Sequence, residues 1–225
     1  MRKKRTLILG TYNTARDGLW TLAKLELSDP DYQSKFQEVP GRDGPLDMST
    51  ALTDGEPRYG SRTLTATLET SEGTRLERQA IIGKMINALD GWRKDIRLPD
   101  YPMHYLTGRI QIKMDYNDVA HAAVTVTAIC DPWLYSLVER KYTIAAKSAD
   151  QVLSLTNSGR KTVVPQVTVT GGTNTSFTIK YKGTSLALGV GDYFLPDLLL
   201  GPGETPITYS GSGTAQISYR EAVLR

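Results

Sequence analysis

The sequence predicts a mainly β protein with two domains, the first of which carries a single α-helix and a β-hairpin. Three observations lead to this prediction. Apolar and polar residues alternate over several short runs, one longer stretch repeats apolar residues at helical spacing, and glycine-containing turns recur through the second half of the chain. We therefore expect an N-terminal β-sandwich-like domain with one helix and a hairpin, followed by a C-terminal β-sandwich.

Three period-two patterns define the strands of the first domain. Residues Thr63 to Thr70 alternate Thr with Leu or Ala, Arg109 to Met114 read RIQIKM, and Ala122 to Ile129 read AAVTVTAI. The turn-forming residues 116–118, Tyr-Asn-Asp, lie between the last two patterns. We therefore expect those two strands to form an antiparallel hairpin.

The segment from Arg75 to Trp92 has a helical pattern instead. Its apolar residues recur every three or four positions, which predicts one amphipathic helix; they are Leu76, Ala80, Ile81, Met85, Ile86 and Leu89. Glu77 lies in the first turn of this helix, and Gly91 stands where a helix commonly ends in a left-handed cap. Two prolines in residues 96–102 then predict an edge strand or a loop.

Composition changes near residue 137 toward Ser, Thr, Gly and Val, which predicts domains of residues 1–137 and 138–225. In the second domain, short strand patterns alternate with glycine-rich turns, as in a β-sandwich. The predicted strands are Gln151 to Leu155, Gln166 to Thr170, Phe177 to Tyr181, Ser185 to Leu188, Asp192 to Leu195, Pro206 to Tyr209 and Ala215 to Tyr219. The predicted corners are Gly171-Gly172, Gly189-Val190-Gly191, Gly201-Pro202-Gly203 and Gly211-Ser212-Gly213.

Charge and hydropathy exclude several classes of protein. The net charge is +3, and the Lys and Arg residues form no stripe that could follow a phosphate backbone. No run approaches the roughly 20 apolar residues of a membrane span. The basic run Arg2 to Arg5 is followed by too few apolar residues for a secretory signal. We therefore expect a solvated N-terminus and synthesis in a bacterial cytoplasm.

We predict no catalytic residue, no cofactor and no metal site. The two histidines, His104 and His121, lack a second His, Cys or acidic residue at zinc-ligand spacing. No GxSxG pattern occurs, and the single cysteine, Cys130, precedes an Asp-Pro turn. Asp115 and Asp118 bracket the hairpin turn, where a structural role is favoured over calcium binding. An enzyme is therefore not expected.

The most distinctive segment of the first domain is VPGRDGPLDMS, residues 39–49. Pro40 fixes its own φ and favours an extended residue before it, while Gly41 and Gly44 can adopt the positive φ of a tight turn. The segment must therefore turn sharply. Asp47 is placed to accept hydrogen bonds from nearby backbone N–H groups, as in an Asx turn.

The apex of this turn carries two opposite charges, Arg42 and Asp43. Two interpretations are open. Charged residues of a loop are usually solvated, which would make the apex an ordinary surface turn. Alternatively, Arg42 or Asp43 forms an inter-subunit contact by pairing with a charge on another subunit.

Together with Tyr59, Arg62 and Gly91-Trp92, residues 39–49 resemble the distal tail proteins (Dit family) of long-tailed bacteriophages. Further matching segments are Tyr12 to Leu22 with its Asp17-Gly18-Leu19, Tyr105 to Arg109, and Cys130-Asp131-Pro132. The order of the two domains matches over nearly the full length of the chain. These elements are specific as a set, whereas none is specific alone.

The resemblance implies a structural hub protein. In this family, an N-terminal domain closes into a hexameric ring and a galectin-like sandwich projects outward. The ring binds the tail tube protein on one face and the tail-tip protein on the other. The resemblance implies the same partners here, with receptor-binding proteins as further ones. It also implies that DNA passes through the bore without specific binding, and that the protein is located in the virion and contacts no membrane.

Two alternatives remain. A lectin-like carbohydrate-binding module would account for the second domain if several of its aromatic residues were exposed on one face. Those residues are Tyr181, Tyr193, Phe194, Tyr209 and Tyr219. Another virion structural protein, such as a tail-tube or baseplate hub subunit, would account for the strand-rich first domain, although tube subunits usually lack an appended sandwich.

Overall fold

The computed structural model describes residues 5–53 and 55–225 and confirms a mainly β fold, with 49% of residues in strands and 9% in helices. The chain divides into two compact units, of which the first ends at Pro132 and the second spans Trp133–Arg225. The division lies within the segment Cys130 to Trp133, shortly before the change in composition near residue 137. Arg2, Lys3 and Lys4 of the basic run lie outside the described residues.

The strands of the first unit are β1 (Ile8–Leu9), β2 (Tyr12–Asn13), β3 (Thr21–Leu27), β4 (Phe36–Gln37), β5 (Leu46–Asp47), β6 (Arg62–Thr70), β7 (Arg93–Arg97), β8 (His104–Asn117) and β9 (Ala122–Cys130). The main sheet has the order β2-β1-β7-β8-β9-β6-β3, and its neighbours along this path pair antiparallel. β4 and β5 form a separate two-stranded ladder. Alternation along β6 buries Leu64, Ala66 and Leu68 on one face of the sheet.

The predicted hairpin is confirmed as β8 and β9, which pair from Gly108↔Cys130 to Asn117↔Ala122. The turn begins at Asp118, whose carboxylate accepts hydrogen bonds from the backbone N–H groups of His121 and Ala120 at 2.7 and 2.8 Å. These bonds hold the pKa of Asp118 below its ordinary value, that from His121 most strongly. β8 therefore extends to Asn117, so two of the three residues of the predicted turn, Tyr116 and Asn117, belong to the strand.

The predicted helix is α2 (Arg75–Leu89), and its ends match local sequence chemistry. Thr74 and Glu77 form a capping box, because the Thr74 N–H donates to Glu77 Oε2 at 2.7 Å and the Glu77 N–H donates to Thr74 Oγ1 at 3.3 Å. After the helix, Gly91 has φ +75°, the left-handed conformation expected from the sequence.

The buried face of α2 differs from the predicted one. Leu76 is 81% exposed, and the buried residues are Arg78, Ile82, Met85 and Leu89. Arg78 can be buried because its guanidinium donates to the carbonyl groups of Gly73, Asp118 and Val119. Met85 and Leu89 are thus buried as apolar spacing indicates, whereas Arg78 occupies a buried position that apolar spacing alone does not predict.

Two further features of the first unit differ from the sequence-based expectation. A short helix, α1 (Thr14–Gly18), was not predicted; Asn13 caps it by accepting from the N–H groups of Ala15 and Arg16. The expectation of an edge strand or loop over residues 96–102 is wrong for Ile96 and Arg97. These residues end β7, which lies between β1 and β8, and the two prolines follow the strand.

The strands of the second unit are β10 (Leu134–Ser136), β11 (Arg140–Ala145), β12 (Gln151–Asn157), β13 (Gln166–Thr170), β14 (Phe177–Tyr181), β15 (Thr184–Leu188), β16 (Gly191–Phe194), β17 (Gly203–Gly211), β18 (Thr214–Tyr219) and β19 (Ala222–Val223). Two four-stranded sheets have the orders β11-β18-β13-β16 and β12-β17-β14-β15. Each predicted strand of this domain is present, and β10, β11 and β19 are additional. The two sheets share one apolar core, which includes Val167, Phe177, Ile179, Ile207 and Ile217.

Candidate assembly surface

The residues of the distinctive turn project on one exposed element, which we call the arm and define as residues 33–49. Its two sides form the β4–β5 ladder, with Phe36 opposite Asp47 and Gln37 opposite Leu46. Among the described residues of the arm, Ser49 is the buried one. The arm therefore has no apolar core of its own.

The apex of the arm has the backbone conformation that its sequence predicts. Gly41 and Gly44 have φ values of +79° and +78°, and the Arg42 N–H donates to the Val39 carbonyl at 3.2 Å. Arg42 and Asp43 are exposed, and neither side chain has a hydrogen bond or an ion pair within the described part of the chain. Both charges are thus available to a partner.

Asp47 forms the Asx-type hydrogen bond that its position in the sequence predicts. Its Oδ1 atom accepts a hydrogen bond from the Ser49 N–H at 2.9 Å, and the Lys35 N–H in turn donates to Ser49 Oγ at 2.8 Å. Hydrogen bonds from the Ser49 hydroxyl and backbone hold the pKa of Asp47 below its ordinary value. This Asx-type turn closes the C-terminal side of the arm.

Tyr59 lies at the root of the arm. It forms an antiparallel bridge with Tyr32, and the two rings meet edge to face with centroids 6.1 Å apart. Backbone hydrogen bonds flank this bridge, from the Gln33 N–H to Arg58 O at 2.9 Å and from the Gly60 N–H to Asp31 O at 2.8 Å. Two backbone hydrogen bonds and this ring contact therefore join the base of the arm to residues 58–60.

Arg62 is a buried structural residue at the start of β6. Its Nε donates to the Ser28 carbonyl at 3.0 Å, and its Nη1 donates to the Pro132 carbonyl at 3.4 Å. A buried guanidinium requires such acceptors, because burial of an unpaired charge is costly. Arg62 thus joins the segment before the arm to the end of the first unit.

Gly91 and Trp92 lie on a third element, the junction of α2 and β7. The Gly91 carbonyl accepts from Arg109 Nη1 at 2.6 Å. Trp92 is 61% exposed, and the Lys94 ammonium lies 5.5 Å from the centroid of its ring. Residues 40–47 thus share one arm, whereas Tyr59, Arg62 and the pair Gly91-Trp92 lie on separate elements.

The arm exposes apolar side chains that the sequence-based site did not include. Phe36 is 60% exposed, and Tyr32, at the root, and Val39 are also exposed. Ordering a backbone costs about 1–2 kcal/mol per residue, while an exposed hydrogen bond returns only about 0.5–1.5 kcal/mol. The sequence contained one signal for this exposure: Phe36 is an aromatic residue in a polar segment that lacks periodic apolar neighbours. Burial of Phe36 against another surface would supply the stabilisation that the arm lacks.

Close packing explains why glycine stands at position 18 in another of the matching segments, Asp17-Gly18-Leu19. A Cβ atom on Gly18 would lie 2.2 Å from the indole of Trp20 and 2.4 Å from the Tyr12 hydroxyl. Trp20 Nε1 and the Tyr12 hydroxyl are buried, and within the described residues neither has a hydrogen-bond partner. Burial raises the pKa of Tyr12. This segment is therefore a packing site of the first unit.

The described residues contain no arrangement typical of catalysis or metal binding. No group of three or more His, Cys, Asp or Glu side chains is placed to hold a metal ion in residues 5–53 and 55–225. Burial raises the pKa of Cys130 to about 11, which disfavours the reactive thiolate. No helix of the described chain has the length and hydropathy needed to span a membrane.

A cleft of about 330 Å³ opens beside the arm. It is lined by Gln33, Ser34, Lys35, Met48, Ser49, Leu52, Thr53 and Arg58. These residues are a mixture of polar, cationic and apolar types, without a nucleophile paired to a base. The cleft lies between the base of the arm and residues 52–58.

The fold defines a class: a two-unit β protein in which a sheet with one long helix precedes a double-sheet sandwich. A solved structure of this class is the Dit protein (gp 19.1) of phage SPP1, described as a paradigm of the hub adsorption apparatus in phages that infect Gram-positive bacteria. The likeness has a TM-score of 0.66 at 15% sequence identity and covers 98% of this chain and 99% of that one. It confirms the fold that the resemblance to distal tail proteins implied. No protein-family model matches the chain, and none of the curated proteins matches it.

Proposed function

We propose that this chain is a structural hub protein of the distal tail or baseplate of a long-tailed phage with a non-contractile tail. In this proposal it forms a hexameric ring that joins the tail tube to the tip and host-adsorption proteins. The likeness to a phage hub protein over nearly the whole of both chains carries the proposal. The order of the two units supports it, because a sheet-and-helix unit followed by a double-sheet sandwich is the order that the resemblance to distal tail proteins implies.

The exposed arm supports assembly into a closed ring. A ring requires heterologous interfaces, in which one patch of a subunit meets a different patch of the next. The arm offers such a patch, since it projects exposed Phe36 together with the unpaired charges of Arg42 and Asp43. In the proposed ring, Arg42 or Asp43 pairs with an opposite charge of the neighbouring subunit, and Phe36 is covered.

The proposed partners are the tail tube protein on one face of the ring and the tail-tip protein on the other, with receptor-binding proteins as further partners. DNA passes through the bore without specific binding, which agrees with the net charge of only +3. The protein would be made in the host cytoplasm and located in the virion. Direct binding of host glycans is not part of this role.

The first test is the mass of the full chain in solution across a concentration series, by light scattering, with negative-stain images of the largest species. We expect a closed ring with six-fold symmetry. A dimer or an open filament at every concentration would contradict the ring. A strict monomer would be followed by addition of the purified tail tube protein, because a template lowers the entropic cost of closure; a monomer under both conditions would reject the proposal.

The alternative of a lectin-like module has less support than the ring. Of the five aromatic residues of the second unit that could form a sugar platform, Phe194 is the one classed as exposed, at 68%. Tyr209 and Tyr219 are buried, and Tyr181 and Tyr193 are half-buried. A single exposed ring is a poor platform for a sugar. Binding of the full chain to a glycan array, lost in a Phe194→Ala variant, would nevertheless favour the lectin.

A tail-tube or baseplate hub subunit of another particle remains the second alternative. Such a subunit would polymerise into stacked rings or a tube, whereas a tail-tip hub is expected to form one ring. The negative-stain images of the largest species distinguish these outcomes directly. Long tubes would favour the tube subunit, and isolated rings would favour the hub.

A further inference from the structure

The tripeptide Arg-Asp-Gly occurs twice in the first unit, as residues 16–18 and residues 42–44. An Asp-Gly bond is chemically labile, because glycine has no side chain to keep its backbone nitrogen away from the preceding carboxyl group. Two further Asp-Gly pairs are residues 54–55 and 90–91, and Asp54 lies outside the described residues. The surroundings of the other three bonds can therefore be compared within one protein.

The tripeptide at residues 16–18 is held by hydrogen bonds and by packing. Asp17 Oδ1 accepts from Arg16 Nε at 2.6 Å, and Asp17 Oδ2 accepts from the Asn13 N–H at 2.8 Å. These two bonds, that from Arg16 most strongly, lower the pKa of Asp17 to about 2, so its carboxyl group stays ionised and is a poor electrophile. Gly18 is buried against Trp20. The carboxyl group can therefore approach the Gly18 nitrogen only if these contacts break.

The Asp90-Gly91 pair is exposed, yet both of its reactive groups have partners. Asp90 Oδ1 accepts from the Ile112 N–H at 2.7 Å, and the Gly91 N–H donates to the Ile110 carbonyl at 2.8 Å. The carboxyl group and the nitrogen are thus both bound to β8. A reaction between them requires these hydrogen bonds to open first, which slows it by the opening equilibrium.

The Asp43-Gly44 pair lacks both kinds of protection. The two residues are exposed, and the Asp43 carboxylate has no hydrogen bond or ion pair within residues 5–53 and 55–225. In the same part of the chain the Gly44 N–H has no acceptor. A Cβ atom at Gly44 would meet nothing within 4 Å, so no packing blocks an approach to this backbone. The two Arg-Asp-Gly segments therefore share one sequence and differ in the freedom of the carboxyl group.

We propose that Asp43 is a site of spontaneous isomerisation to isoaspartate. The Gly44 backbone nitrogen attacks Asp43 Cγ, an N–Cγ bond forms, and the carboxyl hydroxyl leaves with the amide proton as water. Water then adds to one of the two carbonyl carbons of the resulting succinimide. Addition at Cγ restores aspartate, whereas addition at the main-chain carbonyl carbon gives isoaspartate, in which the backbone runs through the former side chain. No oxidant or reductant is required, and the product has the composition of the parent.

Peptide mapping of the aged full chain tests this site. The protein is incubated in mildly acidic buffer, in which a fraction of ordinary carboxyl groups is protonated and electrophilic. It is then digested, and backbone fragment masses distinguish aspartate from isoaspartate at each Asp-Gly pair. We expect isoaspartate to accumulate at Asp43 at least about 10-fold faster than at Asp17 or Asp90, because those two require local opening. Equal rates at the three positions in the folded protein would overturn the proposal.

Denatured protein and a matched variant provide the controls. In denaturant the rates at the three described pairs should become similar, since the protecting contacts are lost; an unchanged preference for Asp43 would contradict the structural argument. Asp43→Glu keeps the charge but would have to form a larger, less favourable ring, so we expect it to remain unmodified. Isoaspartate in the tryptic peptide 43–58 of this variant would place the reaction at Asp54 and overturn the assignment.

The consequence for assembly rests on the ring of the proposed function, whereas the modification itself does not. Isomerisation inserts one carbon into the backbone of the apex and moves the carboxylate away from the proposed inter-subunit contact. We expect modified chains to need up to about 5-fold higher concentration to assemble, the value of one exposed ion pair. Modified chains that enter rings as readily as unmodified ones would overturn this consequence. Isoaspartate at Asp43 in a protein that never assembles would support the modification and reject the ring.

Discussion

Two tight turns of this protein use glycine for different reasons, and the difference separates assembly from folding. At the apex of the arm, Gly41 and Gly44 have positive φ, yet a Cβ atom at either position would meet nothing within 4 Å. At the β17–β18 corner of the sandwich, Gly211 also has positive φ, and a Cβ there would lie 2.0 Å from the Ser176 carbonyl oxygen. The apex requires only residues that can adopt positive φ, whereas the corner also requires a residue without a side chain.

This comparison indicates where mutations will act. At the corner, the Ser212 N–H donates to Ser176 O, just before β14, at 2.9 Å. The corner joins β17 and β18, which belong to different sheets, so a change there affects both sheets. Among the described residues, the apex forms its backbone hydrogen bond within the arm, from the Arg42 N–H to Val39 O. Damage at the corner should therefore lower the stability of the fold, while damage at the apex should alter assembly.

The largest expected effect is that of Gly211→Ala. The Cβ atom would collide with the Ser176 carbonyl and would also impose strain at a φ of +118°, so we expect a loss of about 3 kcal/mol or more in the free energy of unfolding. Denaturant unfolding of the full chain measures this loss. Gly172→Ala is the matched control, because a Cβ there meets nothing within 4 Å. Equal stability of the two variants would contradict the packing at the corner.

A smaller effect is expected for Gly44→Val at the apex. A β-branched residue at φ +78° is strained by about 1–2 kcal/mol, which should raise the concentration needed for assembly by about 5–30-fold. Light scattering measures the shift, and denaturant unfolding of the free subunit should show the same loss of about 1–2 kcal/mol. Gly44→Asn is the control, since Asn tolerates the left-handed conformation. Val assembling as readily as Asn would be incompatible with this turn in the assembled state.

Charge reversal at Arg42 tests the proposed inter-subunit pairing. Arg42→Glu should weaken ring assembly by several-fold at low salt, and the loss should shrink as salt rises, because an exposed ion pair is screened. The free subunit should remain as stable as the parent, since Arg42 is exposed and has no partner within the described residues. Arg58→Glu, on the cleft beside the arm, is a useful comparison. Unchanged assembly of Arg42→Glu across a salt series would argue against the pairing.

The smallest effects concern two aspartates that organise turns, Asp118 in the β8–β9 turn and Asp47 in the arm. Hydrogen bonds lower both pKa values below the ordinary 3.8, from the His121 backbone and from Ser49 respectively. A lowered pKa in the folded state stabilises the fold above pH 3.8, and this contribution is lost as the pH falls through the folded pKa.

An NMR titration of the carboxyl groups in the free subunit would separate the two turns. Asp118 should show a lowered pKa, because the buried Arg78 guanidinium donates to the Asp118 carbonyl and so holds its turn to α2. Asp47 should also show a lowered pKa, because Ser49, whose backbone N–H donates to its carboxylate, is buried. Asp118→Asn should remove its share of the acid dependence of stability. An Asp47 pKa at its ordinary value would argue against the Asx-type turn that closes the arm.

Local chemistry made several elements readable from the sequence. The β8–β9 hairpin follows from strict alternation, and the start and end of α2 follow from Glu77 and from the left-handed Gly91. The predicted sandwich strands follow from glycine-containing turns at regular intervals. The turn of the arm was predictable for the same reason, since positive φ at Gly41 and Gly44 is a property of the residue itself.

Contacts between residues far apart in the sequence decided the features that sequence patterns did not predict. Apolar spacing placed Leu76 on the buried face of α2, but the carbonyl groups of the β8–β9 turn bury Arg78 instead. Two prolines suggested an edge or loop over residues 96–102, whereas β7 lies between two strands and ends before either proline. The exposure of Phe36 also depends on tertiary structure, because nothing within the arm can cover it.

The sequence by itself therefore determined the β8–β9 hairpin, the two ends of α2, the predicted sandwich strands and the turn conformations, because each depends on residues a few positions apart. Only the tertiary structure decided which face of α2 is buried, which glycines lack room for a side chain, and which residues of the arm are left uncovered. Those properties depend on segments far apart in the chain coming together. Periodicity within one segment carries no information about its neighbours in space.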